Sequence, residues 1–262
     1  MNTSNVLLDE RLFCLFKGDP GSGKSIAAGS FPNPYFIDND GRMKSVINFW
    51  RPRGKEFEYD RFSDFLSTNK RLEELHNHCP FDTIVYDGIT TGADVILKTM
   101  METRDAGAKK KLRGGIELLQ IEDYGGEDRG LTTIIDNLKA ISFKWNVHVI
   151  VTAHILTVEQ TDITKKVTNV SRTLLTAGKK VAARLPVHFD EAYHFDVQTS
   201  MDMANPAPKY TIVTSNTGWD WAKTALGLPL RIDFTDKSLY EEIMTNLRGR
   251  NVHTMNEPAG NW

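Results

Sequence analysis

One glycine-rich segment of the sequence has residue types that suit the binding of phosphate groups. Residues 18–25 match the pattern G-x-x-x-x-G-K-[ST] and lie between a predicted strand and a predicted helix. Glycines let the backbone curl so that successive N–H groups face inward, where they and the helix N-terminus attract anions. The pattern assigns the β and γ phosphates to Lys24 and Mg²⁺ to Ser25. The predicted nucleotide-binding residues are Gly18, Asp19, Pro20, Gly21, Ser22, Gly23, Lys24 and Ser25.

A carboxylate follows the apolar and β-forming run at residues 83–86. Asp87 therefore lies at a predicted strand tip, where it can hold the Mg²⁺ shell opposite Ser25, as in the Walker B arrangement. The alternative is that Asp87 only caps the helix that begins near Thr90. We predict that Ser25 and Asp87 are the metal ligands.

Hydrolysis of a phosphoanhydride also requires a group that orients or deprotonates water. Asp38 and Asp40 follow the second predicted strand, close to the expected position of the γ phosphate. Asp40 is the first candidate for the catalytic base and Asp38 the second. The alternative is a turn that uses Asp for its geometry, since Asp and Asn favour turns.

His154 ends a predicted strand that is otherwise apolar. At the phosphate-facing edge of a sheet, a polar side chain can sense the γ phosphate and pass that signal to the following segment. The alternative is a core histidine that is satisfied by hydrogen bonds. The predicted catalytic residues are Lys24, Asp40, Asp87 and His154.

Strands and helices alternate along the first 155 residues, which predicts right-handed crossovers and a mostly parallel central sheet flanked by helices. Ligands bind such sheets at the carboxyl ends of the strands, where the glycine-rich loop, Asp87 and His154 all fall. Additional antiparallel strands are predicted in the C-terminal third. The predicted strands are 12–16, 35–37, 83–86, 147–152, 191–197 and 210–215, and the predicted helices are 24–30, 62–77, 130–145 and 238–247. We predict a domain over residues 1–235, followed by a C-terminal helix and tail over residues 236–262.

Composition limits the classes of partner. The formal net charge is −2, so contact with nucleic acid requires a local basic patch. No apolar run is long enough for a membrane-spanning helix, and the N-terminus does not resemble a signal peptide. Two isolated cysteines suit a reducing compartment, so we expect a cytoplasmic protein with no membrane partner.

Two basic stretches are candidates for contact with single-stranded DNA. Phosphate neutralisation by such clusters gives salt-sensitive binding without sequence preference. The alternative is a solvated basic face, and the second stretch, residues 163–184, contains no aromatic residue for base stacking. The candidate residues are Lys109, Lys110, Lys111 and Arg113 in the first stretch and Lys165, Lys166, Arg172, Lys179, Lys180 and Arg184 in the second.

The ordered set of motifs resembles the RecA-type ATPase core, in particular the small phage-encoded RecA-like ATPases of the single-strand annealing type. The resemblance covers most of residues 10–232, and its matching segments are 18–25, 36–40, 83–87, 151–154, 185–191, 222–223 and 228–229. It implies an ATPase that assembles on single-stranded DNA, is stimulated by it, and promotes annealing or strand exchange. It also implies a homo-oligomer, either a ring or a filament, and a single-strand DNA-binding protein as a partner.

The same resemblance bears on individual residues. The segments that follow the third and fourth strands are the DNA-binding loops of RecA-like proteins, which is where the two basic stretches fall. RecA-like cores usually have Glu at the position of Asp40, where it acts as the water-activating base. RecA itself often has Gln at the position of His154. Lys223 is a candidate for a cation that completes the site of a neighbouring subunit, as an arginine finger does.

Other activities remain compatible with this sequence. One is a motor ATPase, either a replicative helicase or helicase loader or a DNA-packaging enzyme. A second is a small-molecule kinase, and a third is an NTP-dependent binding switch with negligible turnover. Measurement of NTP turnover with and without DNA distinguishes these three activities.

Overall fold

A single central sheet organises the computed structural model, which describes residues 11–104, 112–113, 116–161, 167–176, 178–199, 207–218 and 221–256. In these ranges the sheet has nine strands in the order β11-β10-β9-β1-β7-β4-β2-β3, with β8 paired to β7. Its strands are β1 (Phe13–Gly18), β2 (Pro34–Asp38), β3 (Glu58–Asp60), β4 (Thr83–Asp87), β7 (His148–Thr161), β8 (Val167–Leu174), β9 (Glu191–Thr199), β10 (Pro208–Val213) and β11 (Arg231–Asp233). A separate hairpin contains β5 (Leu112–Arg113) and β6 (Ile116–Glu117).

Helices cover both faces of the sheet because successive side chains of the central strands point to opposite sides. Phe13 and Leu15 of β1 belong to one core cluster, whereas Cys14 and Phe16 belong to the other. The helices are α1 (Lys24–Ala28), α2 (Met43–Trp50), α3 (Phe65–Asn77), α4 (Ile89–Glu102), α5 (Ile121–Trp145), α6 (Lys179–Arg184) and α7 (Leu239–Asn256). The first cluster contains residues of α3, α4, α5 and α6, and the second contains residues of α1, α2 and α7.

The pairing confirms the predicted mixed α/β fold with a mostly parallel sheet. Strands β9, β1, β7, β4, β2 and β3 run parallel, whereas β10 is antiparallel to both β9 and β11. In register, Gly18 lies beside His154 and Asp38 beside Asp87. The polar residues at the strand ends therefore meet at one edge of the sheet.

Several element boundaries differ from the sequence prediction. Strand β7 continues to Thr161 instead of ending at Thr152, and it forms a hairpin with β8. Helix α5 begins at Ile121 rather than Gly130, and α7 extends to Asn256 rather than ending at Leu247. The sequence analysis did not identify α2 or β3. None of the helices described is both long and apolar enough to cross a membrane.

Candidate functional site

The loop between β1 and α1 has a backbone that requires glycine at three positions. Gly21 and Gly23 adopt φ values of 81° and 89°, in the left-handed region that L side chains avoid. At Gly18, a Cβ atom would stand 2.5 Å from the Phe195 carbonyl oxygen and 2.9 Å from Ser22 Oγ. The loop is therefore tightly curled, as the binding of a phosphate chain by backbone N–H groups requires.

Lys24 begins α1 and folds back over this loop. Its Nζ donates hydrogen bonds to the carbonyl oxygens of Gly18, at 2.9 Å, and Asp19, at 2.8 Å. Burial lowers the pKa of Lys24 to about 8, and the charges of Asp87, Asp19 and Asp40 act in the opposite direction. Because neutral carbonyl groups hold the ammonium group, anionic phosphate oxygens can replace them with a gain in electrostatic energy.

Ser25 and Asp87 meet at the carboxyl end of β4. Ser25 Oγ donates to Asp87 Oδ1 over 2.8 Å, and Thr152 Oγ1 donates to the same oxygen over 2.6 Å. Thr152 in turn accepts a hydrogen bond from the Gly88 N–H at 2.7 Å. Burial raises the pKa of Asp87 to about 6, although the two hydroxyl groups lower it.

These two oxygen donors fit Mg²⁺, a hard cation that proteins bind through one or two oxygen ligands together with phosphates and water. Asp87 does not cap α4, because Gly88 is the N-cap residue and the helix has no side-chain capping hydrogen bond. The alternative reading of Asp87 as a helix cap therefore does not apply.

Asp40 and His154 face each other across the cleft. His154 Nε2 lies 3.6 Å from Asp40 Oδ2, and Thr91 Oγ1 donates to Asp40 Oδ1 over 2.5 Å. Burial raises the pKa of Asp40, but His154 and the Thr91 hydroxyl outweigh it, so the net pKa lies below the usual value. Gly88 packs so closely against Asp40 that no Cβ fits between them. Asp40 is consequently a fixed carboxylate that can accept a hydrogen bond from water.

Asp38, the second candidate for the base, has a different environment. Its carboxylate accepts hydrogen bonds from the backbone N–H groups of Arg42, at 3.1 Å, and Met43, at 3.4 Å. These bonds stabilise the start of α2, and Asp38 is only 2% exposed. Of the two acidic candidates, only Asp40 lines the cleft.

The cleft itself has a volume of about 260 Å³, and its lining includes Gly21, Gly23, Lys24, Ser25, Asp40 and His154. It also contains side chains that the sequence analysis missed, among them Thr152, Arg42 and Tyr210. A smaller hollow of about 120 Å³ shares Gly23, Ile26 and Tyr210 with it and adds Phe49, Trp50 and Phe234. The one feature of the sequence that could have indicated Thr152 as a cleft residue is its position two residues before His154. Tyr210 reaches Gly23 from a distant strand, which no local pattern indicates.

The predicted DNA-contacting residues are described only in part. Arg113 is in β5, Arg172 in β8, and Lys179, Lys180 and Arg184 are in α6. Arg184 is exposed and forms an ion pair with Asp128 at 3.0 Å. The hairpin of β7 and β8 begins at His154, whose carbonyl oxygen accepts a hydrogen bond from the Leu175 N–H at 2.9 Å. Five candidates, Lys109, Lys110, Lys111, Lys165 and Lys166, lie outside the described residues.

Lys223 is exposed and does not line the cleft of its own chain. Its backbone pairs with Ala192, which lies beside Leu15 in the register of β1 and β9. Leu15 precedes Gly18 by three residues, which places the Lys223 backbone about 10 Å from the loop along the strand.

Comparison with known proteins identifies the family of this chain. A family model described as an AAA domain matches residues 11–224, a range that includes every residue lining the cleft. No curated protein matches the sequence. Since the match spans most of the chain and includes the phosphate-binding loop, the protein belongs to the AAA-domain family of P-loop ATPases.

Proposed function

We propose that this protein is a Mg²⁺-dependent ATPase that acts on single-stranded DNA in strand annealing or exchange, as a RecA-like enzyme encoded by a phage and working in the host cytoplasm. The observation that supports the ATPase activity is the convergence of Lys24, Ser25, Asp40 and His154 in one cleft, with the buried Asp87 accepting a hydrogen bond from Ser25. The proposed action on single-stranded DNA is supported by the two basic stretches and by the resemblance to RecA-type proteins.

In this proposal each side chain has a defined part in phosphoryl transfer. Lys24 and the loop N–H groups bind the β and γ phosphates, and Ser25 and Asp87 would hold Mg²⁺, which would supply charge neutralisation. Asp40 orients the attacking water, and its lowered pKa keeps it ionised at neutral pH. Phosphoryl transfer is mostly a matter of positioning and electrostatic stabilisation, so a fixed, weakly basic carboxylate suffices.

The contacts of His154 suggest a route for coupling the nucleotide to DNA. Its imidazole faces Asp40, and its carbonyl oxygen bonds to the residue that follows β8. Strand β7 continues from His154 into the hairpin that leads to the second basic stretch. A change at the γ phosphate that moves His154 would therefore act directly on the base of a segment proposed to bind DNA.

The hollow beside the cleft is the proposed location of the nucleotide base. It adjoins the loop at Gly23, and aromatic rings from α2, β10 and the segment after β11 form its walls. Aromatic walls of this kind stack flat rings. The choice of ATP rests on the resemblance to RecA-type proteins.

We further propose a homo-oligomer, ring or filament, in which Lys223 completes the site of an adjacent subunit. Lys223 is an exposed cation that lies away from the cleft of its own chain, as a residue acting in trans must. A single-strand DNA-binding protein is the expected partner on DNA.

The decisive experiment is ATP hydrolysis by the purified protein with and without single-stranded DNA, with Lys24→Ala as the blank and Lys44→Ala as the matched control. We expect turnover that DNA stimulates, that disappears in Lys24→Ala and that persists in Lys44→Ala. Turnover indifferent to DNA would contradict the strand-annealing role and favour a kinase, or a motor ATPase without its partner. Binding of ATP without turnover would instead support a nucleotide-controlled switch.

A further inference from the structure

Arg42 is an unassigned cation in the nucleotide cleft. It immediately precedes α2, its side chain is exposed, and it lines the same cleft as Lys24, Ser25 and Asp40. Its backbone N–H donates to Asp38 Oδ1, which fixes the position of the residue at the start of the helix. The guanidinium group therefore extends from an anchored backbone into the space beside the phosphate loop.

The guanidinium group lacks the partner that arginines near carboxylates usually acquire. Within the described part of the chain, the Arg42 side chain makes no hydrogen bond or ion pair, although Asp38 and Asp40 are both close to it in the sequence. A guanidinium group at the wall of a phosphate-binding cleft suits an anion, because it carries five N–H donors.

The turn that presents Arg42 is held from two sides. Gly41 has a φ of 67°, and a Cβ there would stand 2.6 Å from the guanidinium carbon of Arg61. Arg61 thus packs on one side of the turn, while Asp38 caps α2 on the other. Because Asp40 and Arg42 flank this glycine, the turn fixes the backbone from which both side chains extend before any nucleotide binds. Such preorganisation makes charge stabilisation effective, because little reorganisation is needed in the transition state.

We propose that Arg42 contacts the terminal phosphate of the nucleotide bound in its own chain and stabilises the charge that develops there during hydrolysis. This inference rests on the proposed ATPase function. It adds a catalytic cation that acts in the site of its own chain, whereas Lys223 is proposed to act in the site of a neighbouring subunit. In the step concerned, the water oxygen bonds to the γ phosphorus and the bond to the bridging β–γ oxygen breaks. The proton of the water passes through Asp40 to the released phosphate, and ADP leaves with the negative charge of the bridging oxygen.

The test compares binding of ADP with binding of ADP and aluminium fluoride, a transition-state mimic, in the presence of MgCl₂ by titration calorimetry. The wild-type protein should bind the fluoride complex more tightly than ADP alone. Arg42→Ala should lose most of that preference while its affinity for ADP changes less than threefold, and Arg42→Lys should keep part of it. The single-turnover hydrolysis rate of Arg42→Ala should fall by about 10²–10³, which is typical of removing one transition-state donor.

Arg51→Ala is the matched control, because Arg51 is an exposed arginine just after the other end of α2. It should behave as the wild type in both measurements. An undiminished preference for the fluoride complex in Arg42→Ala would overturn the proposal, as would an equal loss of ADP and fluoride-complex affinity.

Two further outcomes separate this proposal from those on which it rests. If the wild type binds no nucleotide, the ATPase proposal fails together with this one, before any variant is considered. If Arg42→Ala mixed with Lys24→Ala regains activity, Arg42 serves a neighbouring subunit and the assignment in cis is overturned. No recovery in that mixture is the expected result.

Discussion

Asp40 lines the cleft, Asp87 is buried beside Ser25 at the carboxyl end of β4, and the pKa values of the two carboxyl groups shift in opposite directions. Asp87 is almost completely buried and receives only neutral hydroxyl donors, from Ser25 and Thr152, so burial raises its pKa to about 6. Burial acts on Asp40 in the same direction, but His154, Thr91 and the Arg42 charge reverse the sign. The two carboxylates are thus suited to different tasks: Asp87 to a site that a metal cation would complete, and Asp40 to contact with water.

The raised pKa of Asp87 predicts that this residue destabilises the metal-free protein. The native state disfavours the carboxylate form, so native stability falls as pH rises from the unfolded-state pKa near 3.8 towards the folded-state value of about 6. Above that range the full penalty of about 3 kcal/mol applies. Asp87→Asn, which does not ionise, should therefore raise the free energy of unfolding at pH 7.5 by up to about 3 kcal/mol.

Urea unfolding in EDTA at pH 7.5 and pH 4.5 measures this effect. The gain from Asp87→Asn should shrink at pH 4.5, where the wild-type carboxyl group is protonated in the folded protein. Asp82→Asn is the control, since Asp82 is exposed at the start of the same strand region. A gain that is larger at pH 4.5 than at pH 7.5 would contradict the assignment.

Thr152 is predicted to act as a positioning residue for Asp87. Its hydroxyl group donates to Asp87 Oδ1 and accepts from the Gly88 N–H, so it orients the carboxylate from behind. Removing such a supporting hydrogen bond typically lowers metal affinity or activity about 10–100-fold. We expect Thr152→Val to raise the Mg²⁺ concentration needed for half-maximal ATPase activity by this factor, and Thr152→Ser to restore it. Equal Mg²⁺ dependence in Thr152→Val and the wild type would rule out this role.

At the scale of elements, the sequence predicts best where periodicity is strong and local. The buried strands β1, β4 and the start of β7 were predicted because each is a short apolar run followed by a polar end. The start of α5 was missed because Gly125 and Gly126 argue against a helix. In the structure, Met100 of α4 leaves no room for a Cβ at Gly126, so close helix packing accounts for that glycine.

Other errors follow from tertiary contacts. Helix α2 buries Met43, Val46 and Trp50, but the segment lies between a glycine turn and the basic residues Arg51 and Arg53, which hid its periodicity. Beyond Ala153 and His154, β7 leaves the parallel sheet and pairs with β8 alone. Such a hairpin needs no apolar run, so residues 163–184 were interpreted only as a basic stretch.

An ion pair joins the beginning of α5 to the end of α4, which leads to a prediction. Arg104 donates from Nη2 to both carboxylate oxygens of Asp123, at 2.6 and 2.5 Å, and Asp123 also accepts from the Gln120 N–H. Both side chains are largely buried, at 10% and 5% exposure. The pair joins the end of α4 to the start of α5 and so connects the two ends of the segment that carries the first basic stretch.

Asp123→Ala would leave the Arg104 charge without this partner, which typically costs about 3–5 kcal/mol for a buried pair. We expect a loss of that size in the free energy of unfolding at pH 7, measured by urea titration. Glu122→Ala is the matched control, because Glu122 is exposed on the same turn and should change stability by less than about 0.5 kcal/mol. Comparable losses in the two variants would show that the pair contributes little.

For the whole molecule, the sheet order explains why a site spread over the sequence becomes compact. Strand β7 lies between β1 and β4, so His154 is a direct neighbour of Gly18 in register, while β2 brings Asp38 beside Asp87 on the other side of β4. The alternation of strands and helices allowed this edge to be predicted, because parallel strands align their carboxyl ends. The contribution of Tyr210 could not be predicted in this way, since it depends on the antiparallel strand β10 returning beside β9.

The same geometry makes a prediction about assembly. Lys223 is exposed and its backbone lies about 10 Å along β9 from the level of the loop, so a role in catalysis requires a second subunit. If sites are shared, Lys223→Ala and Lys24→Ala should each be inactive alone. In a random 1:1 mixture, about a quarter of the sites combine an intact Lys24 with an intact Lys223 from the neighbour, as expected for head-to-tail interfaces.

The measurement is the ATPase rate of such mixtures after co-incubation with single-stranded DNA, with Lys139→Ala in place of Lys223→Ala as the control. Lys139 is an exposed lysine of α5, so its mixture with Lys24→Ala should retain about half of the wild-type rate, since half the subunits keep Lys24. Recovery to about a quarter in the Lys223 mixture would demonstrate a site built from two subunits. Full ATPase activity of Lys223→Ala alone would show that Lys223 takes no part in ATP hydrolysis. An inactive mixture of the two variants would mean that Lys223 acts in another way, without completing a neighbouring site.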